Sequence, residues 1–551
     1  MEGHAFHQPI QSGIVSLPGL HNQFDDSGNV NPSIPFLCPT STLTDPFVPP
    51  LPPSGVVVRH HPTLPALALR PLNPALLIKV DEERSMSLHQ LMADEGLVPS
   101  PEEESRRKVA IQKLKQIVLS WIKKVAQNHG LPEHKISTTS ATILAYGSYG
   151  LGVHSPESDI DALCVAPFFA SMSEDFFVHL HDMLKNRPEV AEIQCVKGAK
   201  VPLMRFKFDG ISIDLPYARL KVLYVRENVD ILNPLLMRNI DGTSWKSLSG
   251  VRANKHILQL VPNVKNFQSM LRFLKLWAKR RGVYGTLLGY LGGVHLAVLA
   301  AFICQRYPNA SLNALIMHFF QTFAFWPWPK PVMVQEGMFP IVTDVMETRS
   351  LMPIQLPSSP YEYCHSNITR STFYRIRDEF LRGCHMTWDL FNSDFHWDSI
   401  SEPFPYSKEY SLFAKIYLSS PNKDSLGDWV GWVKSRFRWL LLMLEEIQGF
   451  CDPNPTEYVD AEKTESNVVF YWGFLDGKDN VSDKIQLIEE EFMSNLSTYC
   501  DVSPGKVELS ILLASELSKS ALSNDDTAKP AKTCWKKITD LDQTRSLPAY
   551  S

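Results

Sequence analysis

Between residues 101 and 130 apolar side chains return every three or four positions: Val109, Leu114, Ile117, Val118, Trp121, Ile122 and Val125. That spacing winds one stripe along a helix. Ser100 stands where the N-cap belongs, Glu102, Glu103 and Glu104 fill the first turn, and Gly130 follows the last one. An ordered region is expected to begin just before it, at "NPALLIKVDEERSMSLHQLMADEG". The period then shortens to two. "TILAYGSYG" reads as a strand entering a glycine turn, "SDIDALCVA" as a second strand, "FFVHLHDMLKN" as a helix, and "VPLMRFKFDGISIDLPYA" as a hairpin across Asp209-Gly210. A two-residue turn there sets Phe208 opposite Ile211, Phe206 opposite Ile213 and Arg205 opposite Asp214. Phe206, Phe208, Ile211 and Ile213 then form the core face, with Ser212 and Asp214 on the polar face. From Asn233 to about Tyr307 the pattern is mostly helical, and "NFQSMLRFLKLWAKRRG" puts Phe267, Met270, Leu271, Leu274 and Ala278 on one stripe. Beyond Met352, "SLFAKIYLSS" and "NVVFYWGFLDG" are strand-like around a single amphipathic run, "LGDWVGWVKSRFRWLLLMLEEI".

The two ends break this pattern. The first seventy residues are rich in proline, densest in "TDPFVPPLPPSG", and the last stretch, "SKSALSNDDTAKPAKTCWKKITDLDQTRSLPAYS", is polar. Proline fixes φ and removes a donor, so an extended or disordered arm is expected rather than packed structure. At 551 residues, two or three domains are expected. A net charge of −5 offers no global basic field, so a polyanion site has to be a local patch. The nine cysteines form no C-x-x-C pair, so neither a zinc knuckle nor a disulfide framework is suggested. The odd cysteine count, with no apolar h-region in the opening residues, favours a reducing intracellular compartment. "LLGYLGGVHLAVLAAFIC", Leu287 to Cys304, is barely long enough to span a bilayer, and its glycines and His295 favour a buried core helix.

The candidate chemistry sits in "AYGSYGLGVHSPESDIDALCV". On a strand Asp159 and Asp161 present two carboxylates on one face, and Ile160 and Ala162 point into the core. Such a pair needs a cation to screen it, and hard oxygen ligands select Mg²⁺ or Mn²⁺. If the hairpin joins the same sheet, Asp214 adds a third carboxylate, the set that a two-metal phosphoryl-transfer site uses. Gly147-Ser148 follows a strand, so its backbone N–H groups and the Ser148 hydroxyl can approach phosphates; no Walker loop occurs. Each piece has a plain alternative. A lone D-x-D also decorates solvated strand ends, and an aspartate opposite Arg205 is commonly a cross-strand ion pair. The combination is far more specific than its parts.

"GSYGLGVHSPESDIDALCVAP", "FDGISIDLPYARL", "LVPNVKNFQSMLRFLKLWAKRRGVYGTLLGYLGGV" and "SLMPI" closely resemble the eukaryotic poly(A) polymerases of the nucleotidyltransferase β superfamily, most of all the short plant enzymes. The likeness runs from about residue 68 to 500 and is strongest between 145 and 310. It implies an α+β chain: a proline-rich arm at 1–67, a polymerase β-like catalytic domain at 68–225, and a central helical domain at 226–363. A ferredoxin- or RRM-like RNA-binding domain would follow at 364–510 and a tail at 511–551. It implies that Asp159, Asp161 and Asp214 are catalytic and hold two Mg²⁺ or Mn²⁺ ions. The nucleotide would be met by Tyr146, Gly147, Ser148, Ser155, Ile160, the three aspartates, Lys275, Tyr284, Gly293 and Val294. By spacing alone, Arg272, Lys275 and Lys279 equally form a solvated basic face, and the Gly292-Gly293 pair equally serves close packing.

Two positions depart from the family pattern: Ser249 replaces its usual Asn, and Gly150 stands where many relatives carry Arg. Neither is a metal ligand, so altered kinetics are expected rather than a dead enzyme. Lys434, Arg436 and Arg438 interleave with Trp429, Trp432, Phe437 and Trp439, a pattern that can stack bases but at helical spacing favours core packing. "VVFYWGF" reads as a buried strand. The implied activity is template-independent addition of AMP from ATP to an RNA 3′ end, in mRNA polyadenylation. The implied partners are RNA, ATP and the cleavage and polyadenylation machinery, with no membrane, for a monomeric enzyme. The family default is the nucleus; cytoplasm stays open because "KPAKTCWKK" is a weak basic cluster. A uridylate-adding nucleotidyltransferase and a non-enzymatic RNA scaffold are the rival readings.

Overall fold

A computed structural model describes residues 74–334, 350–358, 363–421, 423–475, 481–497 and 505–517. The expected arm at 1–67 and the end of the tail lie outside the described residues.

Helix α1 spans Pro74–Asp94 and α2 Pro101–Asn128. The Ser100 side chain accepts the Glu103 N–H and Glu103 reaches back to the Ser100 N–H, a reciprocal cap. Leu114, Ile117, Val118, Trp121, Ile122 and Val125 are buried along α2. Val109 is 49% exposed, because Ala110, one residue on, is in phase with the stripe and takes the inward position.

The α2 stripe covers one face of a five-stranded sheet: β1 Thr142–Tyr146, β2 Ile160–Pro167, β3 Val190–Val196, β4 Leu203–Phe208 and β5 Ile211–Leu220, in the order β1-β2-β5-β4-β3. Only β2 and β5 are parallel. The β4–β5 hairpin turns at Asp209 (φ 47°) and Gly210 (φ 80°), the left-handed pair that a tight hairpin needs. Its register sets Phe208 against Ile211, Phe206 against Ile213 and Arg205 against Asp214, as the sequence predicts. Helix α3, Gly242–Leu260, covers the other face through Leu248 and Val251.

Four helices follow: α4 Val264–Arg280, α5 Gly293–Arg306, α6 Leu312–Ala324 and α7 Arg370–Trp388. Trp277 of α4 lies among Phe319, Phe320 and Phe380 at ring distances of 5.0–6.3 Å. Leu296 to Ala301 of α5 are all fully buried, which explains an apolar run with no polar side. Among the described residues no helix is long and apolar enough to cross a membrane.

The last region runs β6 Leu412–Ser420, α8 Lys423–Lys434, α9 Phe437–Gln448, β7 Asp452–Pro453, β8 Ser466–Phe474, α10 Val481–Ser497 and β9 Lys506–Leu513. Its sheet order β7-β8-β6-β9, antiparallel throughout, makes a ferredoxin-like β-α-β-β-α-β unit. The final strand passes residue 510, where the tail was expected to have begun. The single amphipathic run is broken into α8 and α9. The Ser435 hydroxyl donates to Trp432 O and the Arg436 N–H to Val433 O, closing the ladder one residue early. Trp429 and Phe437 are buried, and Lys434 pairs with Glu457 at 2.6 Å, so this stretch is core rather than a stacking platform.

Polar groups seam the central helices to this sheet. Arg281 grips Glu379 at 2.8 and 2.9 Å. Arg375 donates to Glu379 at 3.1 Å and to the fully buried Asp452 at 2.8 Å. The Tyr410 hydroxyl donates to Asp452 at 2.6 Å, and Tyr290 donates to its other oxygen.

Candidate active site

Alternation buries Ile160 and Ala162 in the α2 core and leaves Leu163 and Val165 on the α3 side. Asp161 shares that second face. The β2–β5 register sets Asp161 beside Asp214, and the β1–β2 register sets Tyr146 beside Asp161. Neighbouring strands lie about 4.8 Å apart, so the two carboxylates are adjacent where the parallel strands begin. Asp159 immediately precedes β2. The Ile160 side chain is fully buried, so any contact from this residue is through its backbone.

Leaving β1, the chain turns at once through Gly147–Gly150. Gly147 has φ +60°, and a Cβ on it would stand 1.9 Å from Asp161 Oδ2. Glycine is required there by the backbone and by the aspartate together. Asn254 of α3 donates to Gly147 O at 2.9 Å and pins the turn. A Cβ on Gly150 would meet Ala145 O at 2.9 Å, so an arginine at this position would require the turn to move.

The loop from Leu151 to Ser158 is tied from both sides. Arg107 of α2 donates to Pro156 O at 2.6 Å, Gln268 of α4 donates to Leu151 O at 2.9 Å, and Arg272 donates to Gly152 O. Ser155 N–H donates to Ser158 Oγ at 2.9 Å, closing a tight turn just before Asp159. His154 is buried with Nε2 3.1 Å from Glu104. Burial, then the Arg107 charge, hold its pKa at about 4, so it is neutral at pH 7. Sequence reasoning overlooked Arg107, Asn254 and Gln268. The signal for Arg107 was present: it lies in phase with the apolar stripe of α2, where a charged residue needs a buried partner.

The remaining residues expected at the nucleotide, Tyr284, Gly293, Val294 and Lys275, belong to the central helices and the segment between them. A Cβ on Gly293 would lie 3.3 Å from the Tyr284 hydroxyl, and Lys279 Nζ stands 5.7 Å from the Tyr284 ring. Crowding raises the half-buried Tyr284 hydroxyl to about 12, and the Asp159 charge adds to the shift. Val294 is 41% exposed at the start of α5. Lys275 is half-buried on α4, one turn beyond Arg272.

Arg205 takes both oxygens of Asp214, Nε to Oδ1 at 2.7 Å and Nη2 to Oδ2 at 2.8 Å. The cross-strand pair and the convergence with Asp161 therefore coexist. Among the described residues no three His, Cys, Asp or Glu side chains form a ready-made metal cage. The donor set still fits a hard divalent ion: it is all carboxylate oxygen, and the bare Gly147 lets the backbone come close to Asp161 Oδ2.

Comparison with known proteins follows this geometry. Residues 70–261 match the poly(A) polymerase nucleotidyltransferase domain and residues 266–403 the poly(A) polymerase central domain. Nuclear poly(A) polymerase 3 of Arabidopsis thaliana is 54% identical over 474 residues, 86% of this chain and 92% of that protein. Nuclear poly(A) polymerase 2 of the same plant is 36% identical over 79% of this chain but only 56% of its own length. The poly(A) polymerase of Dictyostelium discoideum is 38% identical over 71% of this chain and 49% of its own. The crystal structure of Cid1 poly(U) polymerase, at 15% identity and a TM-score of 0.40, covers 59% of this chain and 99% of that one. Two family domains in series, and a relative matched along most of both chains, give one conclusion: the chain belongs to the poly(A) polymerase family.

Proposed function

We propose that this chain adds AMP from ATP to the 3′ end of RNA without a template, and that Asp159, Asp161 and Asp214 are the acidic residues at the reacting phosphate. The observation that supports the site assignment is the parallel register that sets Asp161 beside Asp214. Their oxygens, with those of Asp159, would hold two Mg²⁺ or Mn²⁺ ions, which supply an activated 3′-hydroxyl and charge neutralisation at the phosphates.

The protein's own part is positioning and electrostatics. Arg205 fixes the plane of the Asp214 carboxylate through its two hydrogen bonds. The Gly147 turn, held by Asn254, brings backbone N–H groups and Ser148 to the α-phosphate side of ATP. Lys275 reaches the outgoing phosphates as a mobile charge. Tyr284, Gly293 and Val294 border the adenine, where the bare Gly293 leaves room for a ring. The 3′-hydroxyl attacks the α-phosphorus, its proton passes to solvent, and the bond to pyrophosphate breaks. RNA lies along the ferredoxin-like domain, and the enzyme works as a monomer with the 3′-processing machinery. The names of the plant relatives support a nuclear location.

Primer extension on oligo(A) with each of the four NTPs, with Mg²⁺, Mn²⁺ or a chelator, tests the reading. Metal-dependent extension with ATP preferred is expected. Preference for UTP, or RNA binding without extension, would overturn it.

A further inference from the structure

The segment from Val283 to Gly293 faces two ways. Gly285 N–H donates to Leu291 O at 2.9 Å and Tyr290 N–H to Gly285 O at 3.0 Å, so the segment folds back on itself as one compact unit. Its first side carries Tyr284, whose hydroxyl stands against Gly293. Its second side carries Tyr290, which is 1% exposed and whose hydroxyl donates to Asp452. Asp452 belongs to β7, in the C-terminal sheet, more than 150 residues along the chain.

Asp452 is itself immobile. It is fully buried, takes a charged hydrogen bond from Arg375 at 2.8 Å and a second from Tyr410 at 2.6 Å. Arg375 also donates to Arg281 O at 2.9 Å, at the end of α4 and two residues before the segment begins. The segment is thus held at its entry and near its exit by groups that answer to one C-terminal carboxylate. A hydroxyl donating to a buried carboxylate is both directional and costly to break. A phenylalanine at position 290 would fill the same space and lose only that hold.

We propose that Tyr290 and Asp452 form a positioning anchor through which the C-terminal sheet sets the placement of Tyr284 at the nucleotide. Neither residue touches the nucleotide; both act through the segment. The proposal rests on Tyr284 contacting ATP.

Tyr410 supplies a comparison, because its hydroxyl donates to the same carboxylate from just ahead of β6, on the oxygen that Arg375 also takes, whereas Tyr290 brings the segment itself to the other oxygen. Steady-state adenylation by full-length Tyr290→Phe, Tyr410→Phe and Tyr284→Phe separates the cases. Tyr290→Phe is expected to raise KM for ATP about 5-fold with kcat within about twofold, and Tyr410→Phe to leave both unchanged. Thermal melts should shift alike for these two, since each removes one donor from Asp452. Equal KM values in Tyr290→Phe and Tyr410→Phe, beside a raised KM in Tyr284→Phe, would overturn the anchor alone. A wild-type KM in Tyr284→Phe would overturn the nucleotide contact and the anchor with it.

Discussion

Two buried aspartates each face an arginine, and their surroundings separate structure from chemistry. Asp452 is fully enclosed and receives Arg375, Tyr410 and Tyr290, so its charge holds the central helices to the C-terminal sheet. Asp214 has Arg205 as its charged partner across the hairpin, yet the next strand brings a second carboxylate, Asp161, to its side. No fold gains stability from setting two like charges in register on neighbouring strands. Arg–Asp pairing alone thus says little about role; the company that each carboxylate keeps says more.

The largest effect should come from the acidic pair. With Asp161 acting on the developing charge of the transition state as proposed, Asp161→Ala should lower AMP incorporation about a thousandfold or more with circular dichroism unchanged. Asp452→Ala should act mainly on stability: it leaves buried Arg375 with Glu379 as its acidic partner and should cost about 3–5 kcal/mol by urea melts, with the KM for ATP raised through the lost Tyr290 anchor. A smaller effect follows from pH. His295 is buried, its Nδ1 accepts the Gly292 N–H, and burial, then the His365 charge, hold its pKa at about 4. The unfolded chain takes up that proton first, near 6.5, so this contribution is intact above pH 6.5 and is lost as pH falls toward 4. Going from pH 7 to pH 5 should remove about 2 kcal/mol through His295, with His154 adding a loss in the same window, and His295→Gln should make the dependence shallower. Smallest, Ser100→Ala removes the reciprocal cap of α2 and should cost about 1 kcal/mol without changing adenylation.

The comparison also explains what the sequence could and could not say. Everything around Asp214 was local: the Asp209-Gly210 turn set the hairpin register, and alternation sorted Phe206 and Ile213 from Asp214. The D-x-D pattern and its flanking motifs added Asp159 and Asp161. Asp452 carried no such signal, because its partners come from residues 290, 375 and 410, and no period or motif spans those separations. Gly147 was legible as a turn glycine, but its need to clear Asp161 Oδ2 exists only once β1 and β2 are paired. The break between α8 and α9 was missed because the apolar spacing continues through it, while the ladder closes through the Arg436 N–H on Val433 O and the Ser435 hydroxyl on Trp432 O.

The most direct test measures melting and AMP incorporation on one preparation of Asp214→Asn. The change removes a like charge from beside Asp161 and keeps the side chain's shape. The account predicts a melting temperature close to wild type and incorporation lower by about a thousandfold. A preparation that melts well below wild type yet adds AMP at the normal rate would place Asp214 with Asp452, among the structural carboxylates, and contradict the site.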